Sequence, residues 1–336
     1  MANFDDFKLA VEALSGGRNT VLLDEIGMPS IVVPFAKIKY SDVISGGAQE
    51  VLPAFLVDGQ EKAVVYVSKY ENVIINNRAY SLAMKTPASN VDFETAVKAC
   101  ANKGSGWHLM TNAIWGAIAL QSQSKNALPH GNTDNSKDNN YTDEHGVGDS
   151  ITATGSGPAS WYTNNELTGI ADLVGNLREW VSGLRIVNGE IQVIPYGNAM
   201  KYDCNMGENS THWKAISSSG EFVEPQTTGT LKFAEYESNL IITNADSVGA
   251  VTCGAAYSTI IAADGLEIPA IVKALGLFPS GDNCPGGVCV NTGGEYMANR
   301  GGNYTDGGHA GVFALDLDSA RTAASAGIGF RAAYCK

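Results

Sequence analysis

Five histidines (His108, His130, His145, His212 and His309) and six cysteines are the side chains of this sequence best suited to nucleophilic, acid–base or metal chemistry. The histidines are scattered, without the spacing of a metal set or a catalytic triad, so each reads as structural or solvent-facing. Cys284-Pro-Gly-Gly-Val-Cys289 either closes a small loop or holds two free thiols, and its spacing does not match the usual zinc pairs. Cys204 and Cys253 have no evident assignment. Asn132-Thr-Asp134-Asn-Ser-Lys-Asp138 sets oxygen ligands at alternating positions. It lacks the central Gly and terminal Glu of an EF-hand and reads as a solvated polar loop. These residues imply no catalytic constellation, no metal site and no cofactor.

The bulk properties narrow the partners. With 35 acidic against 22 basic side chains the net charge is -13, which makes phosphate backbones and anionic membranes poor partners. Nucleic-acid binding is not expected. The amino terminus lacks a basic n-region and an apolar h-region, and no later stretch offers the ~20 apolar residues of a membrane span. The expectation is no membrane insertion and synthesis in the cytoplasm, with a virion tail or the cell surface as possible destinations. Six cysteines are too few to staple 336 residues, so a hydrophobic core must carry the fold. Charged residues are 17% of the chain and Gly numbers 38, a composition suited to loop-rich, β-containing architecture.

Elements that could position a site follow from periodicity. Phe7, Ala10, Val11 and Leu14 form the stripe of a short helix ended by Gly16-Gly17. Ser30 to Phe35, Ala63 to Val67 and Val73 to Ile75 read as strands, making residues 1–80 a small α+β unit for attachment or oligomerisation. Phe93, Ala96, Val97 and Cys100 lie on one helix face, with Asn90 as cap and Gly104 as stop. Thr111 caps a second helix burying Ile114, Trp115 and Ile118. Residues 122–160 form a long polar loop. Asn188-Gly189, between β-branched alternations, predicts a hairpin over Leu184 to Ile194. From 200 to 290 short strands alternate with loops, and Ile268 to Leu277 could form one more helix. No internal repeat is visible.

Three segments in order, Trp107-His-Leu-Met-Thr-Asn-Ala-Ile-Trp115, Gly175-Asn-Leu-Arg-Glu-Trp180, and Arg300-Gly-Gly302 through Gly329-Phe-Arg331, resemble the signature of the formylglycine-generating-enzyme branch of C-type-lectin-like folds. The resemblance spans roughly residues 85–335. It implies an α+β, C-type-lectin-like domain over 81–336 with large loop insertions, preceded by the small amino-terminal unit. Within that branch, residues 300–334 are most similar to the variable proteins of diversity-generating retroelements, where mutated template adenines replace Asn-type codons with a wide palette. Lys, Glu, Gln, Met and Trp are unreachable by that route, and Asn303 to Gly327 contains none of them. The resemblance implies a non-catalytic protein that binds a protein or cell-surface receptor, as a virion component or possible homo-oligomer such as a trimer.

Ligand contact is then expected from Asn303, Tyr304, Thr305, Asp306, Gly308, His309, Asp316, Asp318, Ser319, Thr322, Ala323, Ala324, Ser325 and Ala326. Tyr304, Asp306, His309, Asp316 and Asp318 lead, because Tyr covers large area at low entropy cost and short polar groups bond adaptably. Phe313, Leu315 and Leu317 alternate with Ala314, Asp316 and Asp318, the period of a half-buried strand that exposes the second set. Gly301, Gly302, Gly311, Val312, Ile328 and Phe330 should hold the backbone beneath. Three family features bear on alternatives. Formylglycine-generating oxidases carry copper-binding thiols soon after Arg-Gly-Gly, whereas this chain has no Cys between Val290 and Tyr334, and Asp306 and Gly311 stand nearest the matching positions. A calcium-dependent sugar lectin would carry Glu-Pro-Asn, of which Glu224-Pro225-Gln226 is only an echo; in some members a structural calcium lies near Asn176 and Glu179. Lectin-like domains often join the first fold helix to the last strand by a disulfide, which here would pair Cys100 with Cys335.

Overall fold

A computed structural model describes residues 4–336. Helix α1 (Phe4–Leu14) leads into strands β1 (Thr20–Leu23), β2 (Pro29–Ala36) and β3 (Val64–Ser68). Helix α2 (Phe93–Ala101), strand β4 (Trp107–Leu109) and helix α3 (Asn112–Ser124) follow. The remaining main elements are β5 (Arg178–Val187), β6 (Glu190–Val193), β7 (Lys232–Tyr236), β8 (Asn239–Thr243), β9 (Thr252–Ala256), α4 (Ala270–Ala274), β10 (Gly287–Asn291), β11 (Glu295–Gly301), β12 (Gly311–Ser319), β13 (Ile328–Phe330) and β14 (Ala332–Tyr334).

The α2 face is set as the periodicity predicts, with Phe93, Ala96 and Cys100 buried and Val97 partly so. Its cap is Asp92 rather than Asn90. The Asp92 carboxylate accepts from the Thr95 amide at 2.8 Å, whereas Asn90 sits two residues too early in a left-handed conformation (φ 55°). Thr111 caps α3 by accepting from the Ile114 amide, and Trp115 of α3 donates its indole N–H to the Val312 carbonyl of β12. Asn188 (φ 48°) and Gly189 (φ 82°) make the tight turn between β5 and β6. The expected helix over 268–277 is shorter, Ala270–Ala274, with Pro269 at its start. The α1 stripe does form a helix, but none of its residues is buried: Phe7 is 37% exposed and Leu14 90%.

Two sheets organise the chain. In the smaller, β1, β2, β3, β14 and β4 lie side by side, Ala333 pairing with Val67 on one edge and His108 on the other. The carboxy-terminal strand therefore sits between β3 and β4, and this sheet crosses the division expected near residue 80. In the larger sheet the order runs β9, β10, β12, β11, β5, β6, β7, β8, with β13 parallel to β5. One core fills the space between α3 and this sheet, including Ile114, Trp115, Phe313 and Leu315. A second packs α2 on the opposite face around Trp107, Trp180 and Phe330. Phe93 meets Trp180 edge-on at 5.9 Å, a pair worth roughly 0.5–1.5 kcal/mol beyond its buried area.

The polar segment after α3 holds no regular helix or strand up to Pro158, as expected, but it is not simply solvated. Asn132, Thr133, Asp138, Thr152 and Thr154 are buried. The Asp138 carboxylate accepts from the amides of Gly131, Asn140 and Tyr141, so its oxygens brace the loop. Among the described residues no group of three or more His, Cys, Asp or Glu is arranged to hold a metal, and no helix is long and apolar enough to cross a membrane. All six cysteines are free thiols, so neither Cys100 with Cys335 nor Cys284 with Cys289 is bridged.

Candidate binding site

The three signature segments meet inside the molecule. The Arg300 guanidinium, 1% exposed, donates to the Asn112 side-chain oxygen (2.9 and 2.7 Å) and to the carbonyls of Leu275 and Gly276. Arg331 is fully buried and forms a two-pronged ion pair with Glu179, with a Nε–Oε2 distance of 2.6 Å. Asn176 bridges Glu71, Asn132 and Thr152. Asn176 and Glu179 thus bond within the core, and the motif residues are scaffold. They lock α3 to β11 and join β5 to the chain end.

This scaffold fixes the loop between β11 and β12. Gly301 (φ 91°) and Gly302 (φ 76°) take left-handed conformations that L side chains adopt at a cost. A Cβ on Gly301 would lie 2.8 Å from the Leu173 carbonyl, and one on Gly302 2.6 Å from Ala310. Beyond them the backbone is clamped to the polar loop: the Tyr304 amide donates to the Asn176 carbonyl, the Asn135 amide to the Tyr304 carbonyl, and the Gly307 amide to the Thr133 carbonyl.

A pocket of about 410 Å³ opens where this loop meets the sheet edge. Arg178, Thr305, Asp306, His309, Cys289 and Asp316 supply its functional groups, and Gly254 to Ala256, Gly287, Val288, Gly302 and Ala314 its small-residue walls. Arg178 holds the floor together. It donates to both Asp306 oxygens (3.0 and 2.8 Å) and contacts Asp316 at 2.8 Å. Burial works against the Arg178 charge, but Asp316, Asp306 and Asp318 outweigh it and hold the guanidinium above its ordinary value. Burial lifts the Asp316 carboxyl to about 6, with Arg178 opposing and Asp318 and Asp306 adding to the rise. Burial and the nearby Asp318 and Asp316 push the Cys289 thiol up to about 12, far from a thiolate at neutral pH.

The expected contact residues divide. Thr305, Gly308, His309, Asp318, Thr322, Ala324, Ser325 and Ala326 are exposed. Tyr304, Asp306, Ser319 and Ala323 are half-buried, Ala323 packing on the α2 core. Asn303 is a correction: at 8% exposure it is buried, and its oxygen accepts from the Thr305 amide and hydroxyl, so it builds the turn. Asp316 is another. It is not displayed beside the exposed Asp318 but drawn inward by Arg178, with its side chain 17% exposed. Ala314, placed on the outer set by alternation, is buried because the Gly286 backbone crosses over it. Thr305, Asp306, His309 and Asp316 share the pocket, whereas residues 322–326 lie outside its lining. Sequence reading missed Arg178 as a site residue, although it lies within the Gly175–Trp180 motif. The β9 wall, Gly254 to Ala256, carries no signal beyond small residues.

Helices α2 and α3 packed on opposite sides of the larger sheet, with long loops and an open pocket, make the mixed α+β architecture of C-type-lectin-like proteins. The sulfatase-modifying factor enzyme 1-like domain matches residues 50–225, and the chain belongs to that family. The match starts within the amino-terminal strands and ends before the pocket loop. Similar solved structures include Treponema denticola variable protein 1, 10% identical with 95% of this chain and 99% of that chain covered at a TM-score of 0.34. The Major Tropism Determinant P3c variant is 11% identical, with 94% and 71% covered and a TM-score of 0.34. PvdO from Pseudomonas aeruginosa is 14% identical, with 94% and 98% covered and a TM-score of 0.33. No curated protein matches the sequence.

Proposed function

We propose that this chain is a non-catalytic binding protein of the retroelement-diversified kind, recognising a protein or cell-surface receptor through the pocket and the exposed rim of residues 303–327. The observation that carries this reading is the division of labour in the loop. Its backbone is held by hydrogen bonds to Asn176, Asn135 and Thr133, while Gly308 and His309 are exposed and Thr305 is exposed with its hydroxyl bonded only to Asn303 of the same turn. A surface built in this way accepts new side chains without refolding, which is what a variable receptor-binding protein requires. The absence of Lys, Glu, Gln, Met and Trp from 303–327 agrees with adenine-directed diversification. The raised Cys289 thiol supports binding over thiol-based oxidation, since it is the one sulfur in the pocket lining.

The test is selection. A display library randomised at Thr305, Gly308, His309, Asp318, Thr322 and Ala324 is panned against a panel of immobilised folded proteins. The expected outcome is target-specific binders that differ from one another only at these positions. Failure to enrich any binder from a library whose members fold would remove the reading. A copper-loaded chain that converts a peptidyl cysteine to formylglycine would replace it with the oxidase alternative.

A further inference from the structure

A second pocket, of about 390 Å³, lies behind the same loop. Gly307, Ala310 and Gly311 form one of its walls, and the remainder comes from the polar loop and from residues near Asn165 and Asn283. Its chemistry is defined by which groups are already committed. The Asp138 oxygens accept from three backbone amides. His130 directs Nδ1 to Glu144 at 3.0 Å, and Glu144 also accepts from the Trp161 indole at 2.9 Å. No Lys or Arg lines the pocket. Neither an anion nor a cation finds an uncommitted countercharge there.

What remains is neutral. The side-chain amides of Asn126, Asn165 and Asn283 line the pocket, are exposed, and among the described residues have no hydrogen-bond partner. Each carries paired donors and acceptors, the complement of a hydroxyl that both donates and accepts. Beside them the Tyr141 ring stacks on His130 at 3.8 Å and 11°. Trp161, fully buried, anchors Glu144, Glu144 orients His130, and His130 carries Tyr141, which stays 51% exposed. An exposed ring stacked on a part-buried chain of bonds that ends on a buried indole is a preorganised apolar platform.

We infer that this pocket binds a neutral saccharide, whose C–H face would lie on Tyr141 while its hydroxyls engage Asn126, Asn165 and Asn283. No metal is needed, because every polar contact comes from an amide. The site is made of residues outside 303–327 except for the loop backbone, so it stays constant whatever the variable positions hold, and it does not depend on the proposed display function.

Saturation-transfer NMR on the full chain, with the methyl glycosides of glucose, galactose, mannose and N-acetylglucosamine at millimolar concentration, tests it. At least one glycoside should receive saturation, equally with and without EDTA. Tyr141→Ala and Asn283→Ala should each weaken binding about tenfold, while Thr305→Ala with His309→Ala should leave it unchanged. Near-UV circular dichroism checks that each variant is folded, and Asn165→Ala replaces either variant that is not. The inference is overturned if no glycoside receives saturation, if EDTA abolishes the signal, or if binding survives the pocket variants or is lost with the loop pair.

Discussion

At the scale of single residues, the outward-looking loop separates into side chains that build it and side chains it merely carries. Asp306 illustrates the first kind, because one carboxylate holds Arg178 and caps the Asn303 amide at 2.8 Å. Asp306→Ala should therefore lower stability by about 1–3 kcal/mol, leaving Arg178 and that amide short of a partner. Thr305→Ala and His309→Ala, on exposed positions, should each stay within about 0.5 kcal/mol of the parent in urea unfolding. Equal losses for all three would mean that the loop is packed as a unit. Composition alone ranked Asp306 with Tyr304 and His309, since a carboxylate looks the same in sequence whether it faces water or a guanidinium. Arg178, the residue that decides the matter, lies 128 positions away.

Among elements, the most heavily charged junction is buried where the strand ends come together. Glu71, Asp172, Glu179 and Arg331 sit together, three carboxylates around one guanidinium, and one Asp172 oxygen lacks a partner. Burial raises Asp172 from 3.8 to about 6, with the Gly155 amide and Arg331 opposing; burial, Asp172 and Glu179 raise Glu71 well above its ordinary range. A carboxyl with a raised folded-state value holds its proton longer folded than unfolded. Its contribution is intact below the unfolded value near 4 and is lost as pH rises through about 6. The melting temperature should accordingly fall between pH 4 and pH 6, and Asp172→Asn should flatten that slope. A melting temperature that rises steadily across the window in both proteins would contradict the assignment. Hairpin, caps and helix faces were legible because neighbours in sequence set them, as with Asn188-Gly189 and Thr111. This cluster was not, because it joins residues as distant in sequence as Glu71 and Arg331 through side chains that read as ordinary surface charges.

For the whole molecule, the chain closes on itself through β14, which is hydrogen-bonded between β3 and β4. Removing Ala332–Lys336 should abolish cooperative unfolding, and an isolated 1–80 fragment should lack the circular dichroism of a folded sheet, since β3 loses its neighbour on one side. A cooperatively melting fragment would show that the amino-terminal strands stand alone. The family signature conveyed the fold, because Arg300, Glu179 and Arg331 make buried scaffold contacts rather than facing the surface. The pocket walls of β9 and β10 were silent, being small residues whose role is to leave room. The measurement that bears most directly on the proposed division between fixed backbone and free surface is a saturation scan of residues 303–326 read out by display of folded protein. Substitutions should be tolerated at Thr305, Gly308, His309, Asp318, Thr322 and 324–326, and rejected at Asn303, Asp306, Val312, Phe313, Leu315 and Leu317. Tolerance spread evenly along the segment, or intolerance at the exposed positions, would contradict the account.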